Sequence, residues 1–196
     1  MGVTDYYLED ICEEQRDLKK VFDKYIFGRG LENPRIFSFC CGVANEGPLL
    51  FDRFGENTDI TGLDFDESLV PFVSELDRKF VSFGDVRNLD NILIGKYDLV
   101  IGRNVPLNPR KGTMDEEFFD YWPGVFTSLM EYMGKDSLLF LTLAREDEFD
   151  KACGILRGLE LDVEVQEENP IRVHSDFIGI AGANVKDNYV ILAQVV

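Results

Sequence analysis

A chain of 196 residues and 22.4 kDa has room for one ordinary domain and at most a small appendage. Its hydrophobic content of 45% supports a sizeable core and excludes a disordered polar chain. Its 20 basic and 37 acidic residues give a formal net charge of −17. A field of this sign repels phosphate backbones, so nucleic acid is not the expected partner.

The sequence contains no signal for a membrane or an oxidising compartment. No apolar run approaches the roughly 20 residues that a membrane helix needs, and the acidic N-terminus does not resemble a secretion signal. The four cysteines, Cys12, Cys40, Cys41 and Cys153, are too scattered for a disulfide framework, and no metal-ligand spacing is present. We therefore expect a cytoplasmic protein without a membrane partner or a metal site.

An amphipathic helix is predicted over residues 4–27. Apolar side chains recur there at steps of three, four or seven residues: Tyr7, Ile11, Leu18, Phe22 and Tyr25. Gly28 and Gly30 are expected to end the helix. We assign residues 1–30 to an N-terminal helical cap and residues 31–196 to the main domain.

Short apolar strands then alternate with helices along the chain. The first five strands are predicted at 35–40, 59–63, 80–83, 97–101 and 138–143. Helices are predicted between or after them at 48–54, 67–76, 114–133 and 146–156. Two further strands, 161–165 and 188–196, are separated by a long loop without a clear helix. This order predicts an α/β fold with a doubly wound, seven-stranded, mostly parallel sheet, helices on both faces and an antiparallel last strand.

Candidate ligand-binding residues follow the first three strands. In an open parallel sheet, ligands bind beyond the carboxyl ends of the strands. Gly42 and Ala44 allow close approach of the backbone after the first strand, and the next helix offers free amides. Asp64 can accept hydrogen bonds from ribose hydroxyls, and Asp85 from an adenine amino group. This pattern favours an adenosine-containing ligand, although each aspartate also suits the N-cap of a following helix.

The strand ends at 35–44, 61–66, 84–86 and 97–105 together resemble the motifs of class I S-adenosylmethionine-dependent methyltransferases. The resemblance extends from about residue 36 to residue 196 and implies a Rossmann-like sheet of order 3-2-1-4-5-7-6. It implies S-adenosylmethionine as the cofactor, methyl transfer to a small-molecule or protein acceptor, and a cap formed by the N-terminal helix. The cofactor-binding residues implied are Cys40, Gly42, Ala44, Asp64, Phe65, Asp85, Val86 and Arg103.

The first motif departs from the family pattern at three positions. Ser38 stands where the family has an acid that anchors the amine of the cofactor, and Cys40 and Ala44 replace two glycines. We expect weaker cofactor binding for this reason, and tighter binding in Ser38→Asp.

Two alternatives stay open. A non-catalytic binding or scaffold protein with the same fold would explain the changed motif. An NAD(P)-dependent oxidoreductase would suit the turn at 42–47 and the acid at 64. No catalytic residue is identified, and a general base would be sought at 102–113, at His174 or elsewhere in 170–187. The methyl acceptor and the oligomeric state are not readable from the sequence.

Overall fold

The central element is a seven-stranded sheet. A computed structural model describes residues 3–42, 46–73, 79–108, 120–171 and 187–196. The strands are β1 (Ile36–Phe39), β2 (Ile60–Asp64), β3 (Val81–Phe83), β4 (Tyr97–Gly102), β5 (Met133–Leu143), β6 (Leu161–Glu168) and β7 (Tyr189–Val195). β1 to β5 pair in parallel, and β7 lies antiparallel between β5 and β6. The strand order in the sheet is β3-β2-β1-β4-β5-β7-β6, so the predicted order and the antiparallel last strand are confirmed.

The described helices are α1 (Val3–Tyr25), α2 (Gly47–Phe54), α3 (Trp122–Glu131) and α4 (Glu146–Leu156). Two 3-10 helices, Glu67–Phe72 and Val86–Asn91, follow β2 and β3. The first of them replaces the start of the helix predicted over 67–76, because Pro71 lies inside it and cannot donate a backbone hydrogen bond. Residues 74–78 of that prediction lie outside the described residues.

The helix predicted over 114–133 is shorter at its C-terminal end, where β5 begins early. Met133 pairs with Tyr97 but Leu138 pairs with Leu99, so extra residues of β5 form a bulge. The Ser137 hydroxyl holds this bulge, because its Oγ accepts from the Gly134 N–H at 2.8 Å and donates to the Tyr97 carbonyl at 2.8 Å. Residues 109–119 lie outside the described part of the chain, and the described helix begins at Trp122–Pro123, with proline in the first turn.

Two apolar clusters cover the two faces of the sheet. Neighbouring residues of a strand point to opposite faces, so Leu99 and Ile101 pack on one side and Val100 packs on the other. Helices α3 and α4 cover the face that includes Val100. Helices α1 and α2 cover the opposite face, which we call the α1 face. Helices on both faces are thus confirmed.

Helix α1 packs against the sheet through its C-terminal half. Leu18, Val21, Phe22 and Tyr25 are buried in the cluster of the α1 face. The end of this helix is also tied to β6, since Glu167 accepts hydrogen bonds from Lys24 Nζ at 2.9 Å and from Tyr25 Oη at 2.6 Å. Within the described residues, no helix combines the length and apolar character that a membrane crossing requires.

We predict opposite effects for two glycine-to-alanine substitutions. A Cβ at Gly102, the last residue of β4, would overlap with the Phe39 ring and would lie 2.8 Å from a Leu141 methyl. Gly102→Ala should therefore lower the free energy of unfolding by about 1–3 kcal/mol. Gly154, inside α4, has open space around its missing Cβ, so Gly154→Ala should raise the free energy by about 0.5–1 kcal/mol. Urea denaturation of both variants checks this, and equal effects would contradict the packing at Gly102.

Candidate functional site

The carboxyl ends of β1 and β4 form the point where the strand order reverses direction. β1 and β4 are parallel neighbours in the middle of the sheet. The sheet continues from β1 to β2 and β3 in one direction, and from β4 to β5, β7 and β6 in the other. A residue with left-handed backbone follows each of these strands: Cys40 with φ 53° and Asn104 with φ 48°. Such conformations are unfavourable for residues with a Cβ, and they concentrate at binding and catalytic sites.

Asp64 connects the ends of β1 and β2. Its Oδ2 accepts a hydrogen bond from the Gly42 N–H at 2.7 Å, and its Oδ1 accepts one from the Asp66 N–H at 2.9 Å. Burial raises the pKa of the Asp64 carboxyl, although the backbone hydrogen bonds act in the opposite direction. Two motifs that the sequence suggested separately are therefore in direct contact. The same bonds also show that Asp64 fixes the local backbone.

The other residues predicted at β2 and β3 have different surroundings. Phe65 follows Asp64 and is half-buried. Asp85 is the N-cap of the 3-10 helix Val86–Asn91, and its carboxylate accepts from the Arg87 N–H at 2.9 Å and from Arg87 Nε at 2.6 Å. These hydrogen bonds with Arg87 lower the pKa of Asp85. Val86 is buried in the apolar cluster opposite the α1 face.

Arg103 lies directly after β4 and is buried among three carboxylates, an arrangement we call the Arg103 cluster. Its Nη2 lies 2.7 Å from Glu14 Oε1 and 3.5 Å from Asp187 Oδ2, and its Nη1 lies 3.4 Å from Glu46 Oε2. Each of these side chains is less than a tenth exposed. Although burial alone would lower the pKa of Arg103, the three carboxylates raise it well above its usual value.

Two hydroxyl groups extend the Arg103 cluster into the sheet. Ser38 Oγ donates to Glu46 Oε1 at 2.5 Å, and Thr142 Oγ1 donates to Asp187 Oδ1 at 2.7 Å. Burial raises the pKa of both Glu46 and Asp187, and Arg103 opposes this effect. With all groups ionised, one guanidinium faces three carboxylates, which leaves an excess of two negative charges. Among the described side chains, no group of three or more His, Cys, Asp or Glu is arranged to hold a metal ion.

Apart from Phe65, Asp85 and Val86, the sequence-predicted residues fall into three sets. Cys40, Gly42 and Asp64 are brought together at the ends of β1 and β2. Arg103 lies at the neighbouring end of β4, in contact with Glu46. Ala44, the 109–113 part of the predicted acceptor loop, and the segment 172–186 with His174 lie outside the described residues.

Sequence reasoning missed three acids: Glu14, Glu46 and Asp187. For Glu14 a signal existed, because the apolar series of the first helix skips from Ile11 to Leu18, and position 14 lies on the same helical face as Leu18. Glu46 and Asp187 carry no comparable local pattern, since their role depends on contacts with residues distant in the sequence.

Comparisons with solved structures identify the fold. The chain superimposes on a magnesium protoporphyrin IX methyltransferase from Synechocystis PCC 6803, solved with bound S-adenosylmethionine, with a TM-score of 0.59 and 17% identity, covering 100% of this chain and 86% of that one. It also superimposes on a TehB-like methyltransferase from Corynebacterium glutamicum with a TM-score of 0.60 and 15% identity, over 93% of this chain and 86% of that one. A third match is the glycopeptide N-methyltransferase MtfA in complex with S-adenosylhomocysteine, with a TM-score of 0.60 and 14% identity, over 92% and 89% of the two chains.

These matches confirm the fold that the sequence motifs predicted. The protein has the Rossmann-like fold of class I S-adenosylmethionine-dependent methyltransferases. No family model matches the sequence, and the search of curated proteins found no match.

The left-handed backbone at Cys40 yields a stability prediction. At an ordinary helix or strand position alanine is more stable than glycine by about 0.5–1 kcal/mol. At φ 53° the order should reverse, and Cys40→Gly should be more stable than Cys40→Ala by about 1 kcal/mol. Both variants lose the thiol, so their difference in free energy of unfolding isolates the backbone term. Thermal or urea unfolding measures it, and a more stable alanine variant would contradict the conformation of Cys40.

Proposed function

We propose that the protein is an S-adenosylmethionine-dependent methyltransferase that acts on a small-molecule or protein acceptor. The main support is the contact between Asp64 and Gly42 at the carboxyl edge of a sheet with the methyltransferase strand order. Ligands of open α/β sheets bind at this edge, where the strand order reverses.

The residues at this edge fit the cofactor chemically. A carboxylate has about four lone-pair positions, and the backbone N–H groups of Gly42, Phe65 and Asp66 use up to three of those of Asp64, so it can still accept a ribose hydroxyl. Asp85 would approach the adenine, with Phe65 and Val86 beside it, and Cys40 and Gly42 would approach the methionine part. When bound, S-adenosylmethionine supplies an electrophilic methyl group on a positively charged sulfur.

The contribution of this chain is orientation. Methyl transfer is an in-line displacement, so alignment of acceptor, methyl group and sulfur accounts for most of the rate gain. Burial raises the pKa of the Cys41 thiol well above its usual value, so Cys41 is a neutral thiol at pH 7 and a poor general base. The net charge of −17 favours a neutral or cationic acceptor over a nucleic acid.

The sheet disfavours one of the two alternative functions. The antiparallel β7 between β5 and β6 differs from the parallel order 3-2-1-4-5-6 of dinucleotide-binding sheets, which disfavours an NAD(P)-dependent oxidoreductase. A non-catalytic binding protein with this fold would share the cofactor site but lack turnover.

Calorimetric titration with S-adenosylhomocysteine, S-adenosylmethionine, NAD and NADP tests the proposal. We expect binding of the two adenosyl ligands only. Asp64→Asn keeps the shape of the side chain but removes its charge, and should weaken adenosyl binding by about 1.5–3 kcal/mol because hydrogen bonds to a charged group are lost. Asp59→Asn is the matched control, since Asp59 lies before β2, at the opposite edge, and pairs with Arg35.

Three results would contradict parts of this proposal. Binding of NAD alone would favour the oxidoreductase. Equal affinities of wild type and Asp64→Asn for S-adenosylhomocysteine would remove Asp64 from the site. Cofactor binding without methyl transfer to any of a panel of amines, thiols, phenols and carboxylates would favour the non-catalytic protein.

A further inference from the structure

A carboxylate lies where the sequence pattern indicated that negative charge had been lost. Ser38 stands at the position of the family's acid, and its hydroxyl donates to Glu46 Oε1 at 2.5 Å. Glu46 directly follows the segment 43–45 and precedes α2. Its side chain makes no capping hydrogen bond to α2, so capping does not account for its burial.

The surroundings of Glu46 are short of positive charge. Arg103 is the cation of the cluster, and its contacts with Glu46 at 3.4 Å and Asp187 at 3.5 Å are longer than good charge-assisted hydrogen bonds. Within the described part of the chain, Arg103 Nε and Asp187 Oδ2 are buried and have no hydrogen-bond partner. Buried polar atoms are normally paired, and Asp187 Oδ2 is an acceptor, so the cluster can take a further hydrogen-bond donor, whereas the Arg103 Nε–H is itself a donor that an ammonium does not pair.

We propose that Glu46 binds the ammonium group of the methionine part of the cofactor, in place of the acid that similar proteins have at position 38. This assignment rests on the proposed function and refines it. Ser38 is then a positioning residue, which orients Glu46 through its hydroxyl. Glu46 keeps free lone pairs on both oxygens, so it can accept from an ammonium without losing Ser38.

Two ligands separate this role from adenosine binding. S-adenosylhomocysteine carries the amino-acid group, while 5′-methylthioadenosine has the same nucleoside and thioether without it. Glu46→Gln should weaken S-adenosylhomocysteine roughly tenfold to a hundredfold, the range for loss of a charge-assisted hydrogen bond. Its affinity for 5′-methylthioadenosine should stay within about twofold of wild type, which also reports that the variant is folded.

A charge transfer between the two positions gives a stronger test. Ser38→Asp alone places a second carboxylate against Glu46, so we now expect it to weaken S-adenosylhomocysteine binding rather than tighten it. The double variant Ser38→Asp/Glu46→Gln restores one carboxylate and one neutral partner, and should recover most of the lost affinity. Glu131→Gln, an exposed change at the end of α3, is the control for a general loss of negative charge.

The pH dependence supplies an independent readout. Burial raises the pKa of Glu46, so acidification removes its charge while the ligand's ammonium stays protonated. Affinity for S-adenosylhomocysteine should therefore fall as the pH is lowered from 7.5 to 5.5, and fall less in Glu46→Gln. Arg103, Glu14 and Cys41 also act on this carboxylate, and Asp187 lies on the other side of Arg103. Asp64 affects both ligands, so the ratio of their affinities isolates the amino-acid contact.

The possible outcomes separate the two proposals. If wild type binds neither adenosyl ligand, the proposed function fails and the assignment of Glu46 fails with it. If wild type binds S-adenosylhomocysteine and Glu46→Gln binds it equally well, only the assignment of Glu46 is overturned. A parallel loss of affinity for both ligands in Glu46→Gln would likewise show that Glu46 acts on the structure of the site and not on the ammonium.

Discussion

Burial of the Arg103 guanidinium constrains the whole carboxyl edge of the sheet. A buried charge costs several kcal/mol unless it is paired and hydrogen-bonded, so Arg103 requires its carboxylate partners. These come from three distant segments: Glu14 from α1, Glu46 from the start of α2, and Asp187 from the residues before β7. The positions of these segments around the end of β4 are therefore linked through one side chain. These ion pairs contribute more to the specific placement of the three segments than to the free energy of unfolding.

The sheet supplies the geometry of this network through its period of two residues. On the α1 face, Ile36, Ile101 and Phe140 are followed two residues later by Ser38, Arg103 and Thr142. On this face, the apolar side chains of each of these strands are thus followed by a polar side chain at the carboxyl end. Helix α1 matches this change, since Leu18 packs on the apolar part and Glu14 one turn earlier pairs with Arg103. The packing of the apolar side chains between α1 and the sheet therefore positions the polar side chains at the carboxyl ends of the strands.

The sequence predicted the sheet, and it indicated two residues that the structure places in contact, because both depend on local patterns. The alternation of strands and helices indicated a mostly parallel sheet. The residues that follow the strands indicated Gly42 and Asp64 as ligand-binding residues, and these two are in contact. The partners of Arg103 could not be predicted in the same way, since ion pairing over 57 and 89 residues of separation leaves no periodicity. The bulge at the start of β5 was also missed, because it depends on the pairing of Met133 with Tyr97.

The first motif differs from the methyltransferase pattern in its residue types, but it keeps a left-handed turn and a carboxylate next to it. Glycine is favoured at its turn because the backbone is left-handed there, and Cys40 adopts this conformation at φ 53° despite its Cβ. An acid is expected at position 38, and a carboxylate lies 2.5 Å from Ser38 in the form of Glu46. Both Cys40 and Glu46 are costly to folding, since Cys40 strains the backbone and Glu46 is a buried acid in a cluster with excess negative charge. Such costs are typical of sites where a ligand offsets them, and here they are concentrated at the reversal point of the strand order.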